Sequence, residues 1–375
     1  MTYRILLTGG GSGGHLFPLV AVAEELQRQA AKKGVDLDLQ FLGDTKFTKS
    51  LLGNTGMKFK DVMSPKWRRY ASIQNFVDIL KTPVGFFQAL FYVWKYMPDA
   101  IFAKGGYDSF LPSIVGRLMM IPVAIHESDM VPGKANVYLS KLASKIFTSF
   151  EASKKYFKEN KVVLTGNPIR DGILTGPDKK SALAGFSLSS EKPTVLITGA
   201  SQGAKVINDT LLLAIVELVK EFQVVHQSGP NNYDEVNKKI LDIIKEGEGS
   251  YGKEIQENYR LYPLFNLDQM AMAYSAADVI VSRAGAGSIF EIAAVGKPAV
   301  VIPLKGSANE HQLENAREFA KFGAIIVEED NLTPHIFINE IKEAYKGREE
   351  RSEKIKKFAI TDAATKIADN LLGFA

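Results

Sequence analysis

The sequence predicts an α/β protein built from two doubly wound, parallel-sheet domains. Three observations carry this. Short apolar runs alternate with helix-period segments along the chain, the pattern of parallel sheets with right-handed crossovers. Glycine-rich turns follow apolar runs in both halves, at Thr8-Gly-Gly-Gly-Ser-Gly-Gly-His15 and Thr198-Gly-Ala-Ser-Gln-Gly-Ala-Lys205. A length of 375 residues is enough for two domains that each bury a core.

In the first half, strands are predicted at Arg4–Thr8, Leu37–Leu42, Ala100–Ala103, Pro122–His126, Lys145–Thr148 and Val162–Thr165, each a short apolar run bounded by turn residues. The polar stretch from Asn167 to Pro193, with Gly176-Pro177 and Ser187–Ser190, is the expected inter-domain region. The pattern restarts at Thr194–Thr198, Gln223–His226, Tyr259–Tyr262, Val279–Ser282, Ala299–Ile302 and Ala324–Val327. Helical spacing fills the gaps, as in Asn309–Phe322, and an amphipathic helix at about Thr361–Leu372 fits against either domain.

Composition narrows the function classes. The absence of cysteine excludes disulfide frameworks and thiolate catalysis and is compatible with a reducing compartment. The chain enters a strand within four residues with no basic-then-apolar leader, and no apolar run reaches the ~18–20 residues of a membrane span. A net charge of +4 is too small to argue for nucleic acid.

Gly9, Gly11 and Gly14 satisfy G-x-G-x-x-G after a strand, where backbone N–H groups at a helix N-terminus suit a phosphate. A nicotinamide site would want an acidic residue closing the second strand, and Asp44 is the nearest. The turn at Gly199–Lys205 lacks the ending of a Walker A loop, against an ATPase. Ser282-Arg-Ala-Gly-Ala-Gly-Ser-Ile-Phe-Glu291 again reads strand, turn, helix. Its N–H groups near Gly285–Ser288 suit a diphosphate, and Glu291, one turn in, fits the two hydroxyls of a ribose or simply complements the helix dipole. Ala103-Lys-Gly-Gly-Tyr-Asp108 and His126-Glu-Ser-Asp129 each follow a strand and fit a crevice or ordinary βα-loop chemistry equally well. The five histidines have no metal-ligand spacing, so no metal site is expected; His226 and His335 read as strand-end and surface residues.

Between Pro65 and Pro98, Lys66, Arg68, Arg69, Lys81 and Lys95 face only Asp78 in charge, among Trp67, Phe86, Phe87, Phe91, Tyr92, Trp94 and other aromatics. Helical spacing at Ile73, Phe76, Val77 and Leu80 breaks at Pro83 and then becomes apolar nearly all round. The stretch is either a helix buried on the sheet or an interfacial patch of Trp67, Arg68, Arg69, Phe86, Phe87, Phe91 and Trp94, with aromatics at the headgroup boundary and cations on anionic lipid.

Taken in order, GGGSGGHLFP, AKGGYDSFLP, HESD, GNPIR, GASQGA, SRAGAGSIFEIAAVGKP and HQLENA resemble the MurG family of glycosyltransferases over nearly the whole chain. The resemblance implies the GT-B architecture, two Rossmann-like domains facing a central cleft. The first is an acceptor- and membrane-facing domain of residues 1–165 plus the C-terminal helix 360–375; the second, residues 166–359, binds UDP-GlcNAc. It implies inverting transfer of N-acetylglucosamine from UDP-GlcNAc to the C4 hydroxyl of lipid-linked MurNAc-pentapeptide, lipid I to lipid II, in peptidoglycan synthesis, cell-wall biogenesis, cell shape and cell division. The enzyme would sit on the inner leaflet, peripheral to the cytoplasmic side of the cell membrane, with no prosthetic group, metal or nucleic-acid partner.

Carried over by position, the resemblance places Ser12, Gly13 and Gly14 near the sugar and the acceptor diphosphate. His15 acts near the acceptor and is the leading general base, with Asp129 as rival base and donor contact. Arg170 and Ser201 contact the nucleotide-sugar, and Leu267 offers a backbone contact to uracil. Ala286, Gly287, Ser288, Ile289, Phe290 and Glu291 hold diphosphate and ribose, while Gln312 and Asn315 reach the sugar hydroxyls. The chain departs from the family at His126-Glu-Ser-Asp129, where His-Glu-Gln-Asn is usual, and at a slightly longer Lys305–His311. Rival readings are a GT-B enzyme acting on diacylglycerol or another lipid, a nucleotide-sugar epimerase, a non-catalytic nucleotide-sugar binder and a NAD-dependent oxidoreductase.

Overall fold

The computed structural model describes residues 2–10, 13–44, 56–64 and 73–374. The chain forms two compact units, Met1–Arg170 with Ile360–Ala375, and Asp171–Ala359.

The first unit carries β1 (Thr2–Thr8), β2 (Asp36–Gly43), β3 (Lys58–Asp61), β4 (Ala100–Ala103), β5 (Val123–Glu127), β6 (Lys145–Thr148) and β7 (Val162–Leu164). They make one parallel sheet in the order β3-β2-β1-β4-β5-β6-β7. In the central strand Ile5 pairs with Leu39 on one side and Ala100 on the other. Ile5, Leu6 and Leu7 are fully buried, because both faces are covered and the strand therefore reads as a continuous apolar run. On one face, Leu16, Leu19, Val22 and Leu26 of the helix Gly13–Lys33 pack with Ile367 and Leu371 of the helix Ala363–Leu372. The Tyr3 hydroxyl donates to the Leu371 carbonyl at 2.8 Å, and the Thr365 hydroxyl to Glu25 Oε1 at 3.0 Å. These contacts assign the C-terminal helix to the first unit. The other face is covered by the helices Ile73–Tyr96, Phe110–Leu118 and Lys134–Ser140 through Ala89, Val93, Leu111, Val115 and Leu139.

The second unit carries β8 (Thr194–Thr198), β9 (Gln223–Gln227), β10 (Tyr259–Tyr262), β11 (Val279–Ser282), β12 (Ala299–Val301) and β13 (Ile325–Ile326), also parallel, in the order β10-β9-β8-β11-β12-β13. Its core joins Val195, Ile197, Val279 and Val281 of the sheet to Leu211 and Ile215 of the helix Lys205–Glu221 and Phe337 and Ile341 of the helix Pro334–Lys346.

Three expectations need correction. The edge strand β3 went unpredicted because its Lys-Phe-Lys-Asp sequence is short and mostly exposed, as charged edge strands are. The helix Ile73–Tyr96 runs through Pro83 without ending. Proline removes one N–H from the ladder, and packing of Ala89 and Val93 on the sheet holds the rest. The stretch Asn167–Pro193 is more than a connector. It contains the helices Asp171–Leu174 and Lys179–Gly185, the latter capped by the Asp178 side chain accepting from the Ser181 N–H at 3.1 Å. Phe186 closes it against Tyr262 and Phe265.

In each sheet the strand order reverses about a central strand. β1 lies between β2 and β4, and β8 between β9 and β11. Doubly wound sheets bind ligands outside the carboxyl ends of strands at such switch points. The turns after β1 and β4, and after β8 and β11, are therefore where a site is expected.

Candidate functional site

In the first unit, the turn after β4 packs on the turn after β1. Gly106 has φ 80°, and a Cβ there would lie 2.8 Å from the Gly10 carbonyl oxygen. Only glycine tolerates both. Ser12 lies outside the described residues. Gly13 and Gly14 open the helix, and His15 follows in its first turn, where backbone N–H groups have no intrahelical acceptor; the His15 side chain lies outside the described part.

A buried polar cluster fills the ends of β4 and β5. Lys104 is 1% exposed, and its ammonium donates to Ser128 Oγ, which donates to Asn167 Oδ1 at 3.2 Å. Burial pulls the Lys104 ammonium below the usual lysine range, while the Glu127 and Asp129 charges act against that. Glu127 is buried and accepts from the Asp129 N–H at 2.9 Å, the Gly133 N–H at 3.1 Å and Asn136 Nδ2 at 2.9 Å. Burial, then the Asp129 charge, pushes its carboxyl up; the hydrogen bonds and Lys104 pull the other way. His126 is fully buried, with Nε2 3.0 Å from the Gly166 carbonyl oxygen, so Nε2–H donates, and Nδ1 has no partner among the described residues. Burial and the Lys104 charge hold this ring neutral. Asp129 is half-buried beside the cluster. The Arg170 guanidinium stacks 4.2 Å from the Phe17 ring centroid.

In the second unit, Ser201 lies in the turn after β8. That turn is closed by Gly203, whose φ of 76° and approach to the Ser228 carbonyl leave no room for a Cβ. Gln227 braces it, donating to Thr198 Oγ1 at 3.1 Å and the Ala200 carbonyl at 3.0 Å. Its Oε1 accepts from the Phe265 N–H at 2.9 Å, just before the helix Leu267–Ala276. Leu267 is the first residue of that helix, fixed by a capping box of Asn266 and Gln269.

After β11 the helix Ala286–Val295 starts with no side-chain cap. A Cβ added at Gly285 or Gly287 would meet nothing within 4 Å, so the first turn faces open space. Ala286, Ile289 and Phe290 are buried beneath it, with Gly287 and Ser288 half-buried at its mouth. Glu291, 9% exposed, accepts from the Tyr274 hydroxyl at 3.1 Å. A helix N-terminus without a side-chain cap, with a buried carboxylate one turn in, can hold an anion and accept from vicinal hydroxyls.

Two predicted contacts have partners within the unit. Asn315, fully buried, donates to the Ala284 carbonyl at 3.2 Å, and Gln312 Oε1 accepts from the Leu304 N–H at 3.0 Å. Both brace the turn after β11 and the loop after β12. Among the described residues, no group of three His, Asp or Glu side chains is arranged to hold a metal ion.

Residues 5–148 match the glycosyltransferase family 28 N-terminal domain and residues 194–371 the glycosyltransferase family 28 C-terminal domain. A relative from Treponema denticola, named UDP-N-acetylglucosamine--N-acetylmuramyl-(pentapeptide) pyrophosphoryl-undecaprenol N-acetylglucosamine transferase, is 36% identical over 96% of this chain and 93% of its own. One of the same name from Legionella pneumophila strain Paris is 34% identical over 98% and 96%. The crystal structure of Acinetobacter baumannii MurG superposes with a TM-score of 0.72 at 25% identity, covering 99% of both chains. The chain belongs to the MurG family of glycosyltransferases.

Its two parallel-sheet units are those of GT-B members of that family. MurG membership sets aside the nicotinamide reading of the first glycine turn. UDP-GlcNAc 2-epimerase from Neisseria meningitidis, at TM-score 0.68 and 18% identity, shares the fold alone.

Sequence reasoning found the strand-end motifs but missed Lys104, Glu127, Asn136 and Asn167 as one buried cluster, and Tyr274 as the partner of Glu291. A lysine between an apolar strand and two glycines was the available signal. No spacing links Tyr274 to Glu291, because the two lie on different helices.

Proposed function

We propose that this chain transfers N-acetylglucosamine from UDP-GlcNAc to the C4 hydroxyl of a lipid-linked MurNAc-pentapeptide, inverting the donor's anomeric carbon. The observation that carries the reading is the open, uncapped N-terminus of the helix Ala286–Val295 with buried Glu291 one turn in. The names of the full-length relatives support the same donor and acceptor.

On this reading the second unit holds the donor. The N–H groups of Ala286, Gly287 and Ser288 take the diphosphate, with Ile289 and Phe290 packing behind them, and Glu291 takes the ribose hydroxyls. The backbone at Leu267 meets uracil, and Ser201 and Arg170 contact the nucleotide-sugar. Gln312 and Asn315 keep the turn facing the sugar. The first unit takes the acceptor at Gly13 and Gly14, with His15 as base and Asp129 as rival. The acceptor hydroxyl attacks the donor's C1 as UDP leaves and the base takes the hydroxyl proton. Fixed N–H groups stabilise the departing diphosphate, so the step needs no resident metal.

The acceptor is bilayer-bound on this reading, and the helix Ile73–Tyr96 supports a docking surface for it. Phe87 is 65% and Trp94 62% exposed, with Val84 and Phe91 also outward, while half-buried Phe86 packs on the core. Lys95 lies over the Phe91 ring. Trp67, Arg68 and Arg69 lie outside the described residues. No helix among the described residues is long and apolar enough to cross a membrane. We place the protein on the cytoplasmic face of the cell membrane, with aromatics in the headgroup boundary and lysines on anionic lipid.

The test is the product. UDP-GlcNAc with a lipid I analogue should yield a β-linked disaccharide lipid identified by NMR and mass spectrometry. Transfer to diacylglycerol, but not to the lipid I analogue, would replace this acceptor by the rival one.

A further inference from the structure

Gln227 is the last residue of β9, 1% exposed, and stands between Thr198 at the end of β8 and Tyr262 at the end of β10. From there one amide reaches the exits of both neighbouring strands. Its Nε2 donates to Thr198 Oγ1 at 3.1 Å and to the Ala200 carbonyl at 3.0 Å, in the glycine turn after β8. Its Oε1 accepts from the Phe265 N–H at 2.9 Å, two residues before Leu267. The Ala200 carbonyl can only accept and the Phe265 N–H can only donate, so the orientation of the amide is fixed. We propose that Gln227 is a positioning residue for the nucleotide donor: it clamps the turn bearing Ser201 to the backbone leading into Leu267, and thereby sets the preference for uracil over cytosine.

Both clamped segments need a restraint. Ala200 has φ 62°, a left-handed conformation that is costly for a residue with a Cβ and persists where the surroundings over-determine it. The Ala200 N–H donates to Thr198 Oγ1 at 3.2 Å, and the Gly203 N–H donates to the Ala200 carbonyl at 3.1 Å. Gln227 therefore grips the turn at the strained residue itself. On the other side the Phe265 ring meets those of Phe186 and Tyr262, with centroids 6.1 and 5.1 Å away, which holds its side chain while Gln227 holds its N–H. Leu267 follows through the capping residue Asn266. The proposal rests on the donor reading, in which the backbone at Leu267 meets uracil. Uracil offers a donor at N3 and an acceptor at O4, and cytosine offers the reverse at the same two places. A backbone held still pairs with one pattern and opposes the other, whereas a backbone free to shift discriminates less.

Calorimetry with UDP and with CDP tests it. Gln227→Met should weaken UDP binding about tenfold and CDP binding much less, so that the preference for UDP shrinks. Gln227→Asn, too short to reach both segments, should do the same. Ala200→Gly relieves the left-handed strain. In the Gln227→Met background it should restore part of the UDP affinity and leave the UDP-to-CDP preference low, because the Phe265 N–H stays unheld; in the parent it should change little. Ile341→Ala opens a cavity in the core of the same unit and should lower the melting temperature without moving the preference, which separates positioning from loss of stability. An unchanged preference in folded Gln227→Met, no recovery from Ala200→Gly, or an equal loss of preference in Ile341→Ala overturns the proposal. So does failure of both Gln227 variants to fold, which makes the side chain a structural one. A parent that binds neither nucleotide overturns the donor reading and the proposal with it; a parent that prefers UDP, with the preference kept in Gln227→Met, overturns the proposal alone.

Discussion

The Tyr274 hydroxyl donates to Glu291 Oε2 at 3.1 Å, joining two buried side chains from neighbouring helices. The bond fixes the carboxylate proposed to accept the ribose hydroxyls. Tyr274→Phe keeps the ring and removes the donor, and should weaken UDP binding by about 1.5 kcal/mol, roughly tenfold. Glu291→Ala leaves the ribose hydroxyls unpaired and should cost roughly 1–3 kcal/mol. Calorimetry with UDP checks both; unchanged affinity in Glu291→Ala places the ribose elsewhere.

His15 follows the first glycine turn directly. As the general base, its replacement by alanine should lower turnover by roughly 10²–10⁴-fold with UDP affinity nearly unchanged. Steady-state kinetics beside UDP titration separates the two effects. Turnover within a few-fold of the parent moves the base to Asp129, with Asp129→Asn as the variant to measure.

Exposed Phe87, Phe91 and Trp94 supply the apolar part of the proposed docking surface. The parent should sediment with anionic liposomes, more weakly in high salt, since each lysine near the surface contributes about 1 kcal/mol that salt screens. Replacing the three aromatics by serine should abolish the salt-resistant fraction while the melting temperature holds, because these side chains project from the core. A folded parent that stays in the supernatant at low salt rules the surface out.

His226 is buried in the second unit. The Tyr259 hydroxyl donates to its Nδ1 at 2.7 Å, and its Nε2–H donates to Asn208 Oδ1 at 3.0 Å. Burial pulls its pKa down from 6.5 to about 3. Between those values the unfolded chain binds a proton that the folded chain does not. Stability conferred by the neutral ring is therefore present above pH 6.5 and lost as pH falls, by up to about 1.4 kcal/mol per pH unit. NMR should show the His226 ring uncharged down to pH 4 in the folded protein; titration near 6.5 would contradict the burial argument.

Much of the fold was legible because parallel strands buried on both faces must be apolar throughout, as Ile5–Leu7 and Val195–Ile197 are. The edge strand Lys58–Asp61 was not, since an exposed edge needs no apolar run. Glycine and serine between Asn167 and Pro193 hid two short helices whose stability comes from packing on Leu267–Ala276. At the site, glycine turns at strand ends announced themselves by type and spacing. Lys104 with Glu127, and Tyr274 with Glu291, are tertiary pairs whose chemistry appears only when separate elements meet.

The central claim is the transfer itself. The most direct measurement follows radiolabel from UDP-GlcNAc into a lipid I analogue, with UDP-Glc and UDP-Gal as competing donors. The account predicts one labelled N-acetylglucosamine per acceptor, stoichiometric release of UDP, and kcat/KM for UDP-GlcNAc well above that for either competitor. Label that never enters the acceptor, while the folded protein binds UDP-GlcNAc, would contradict it.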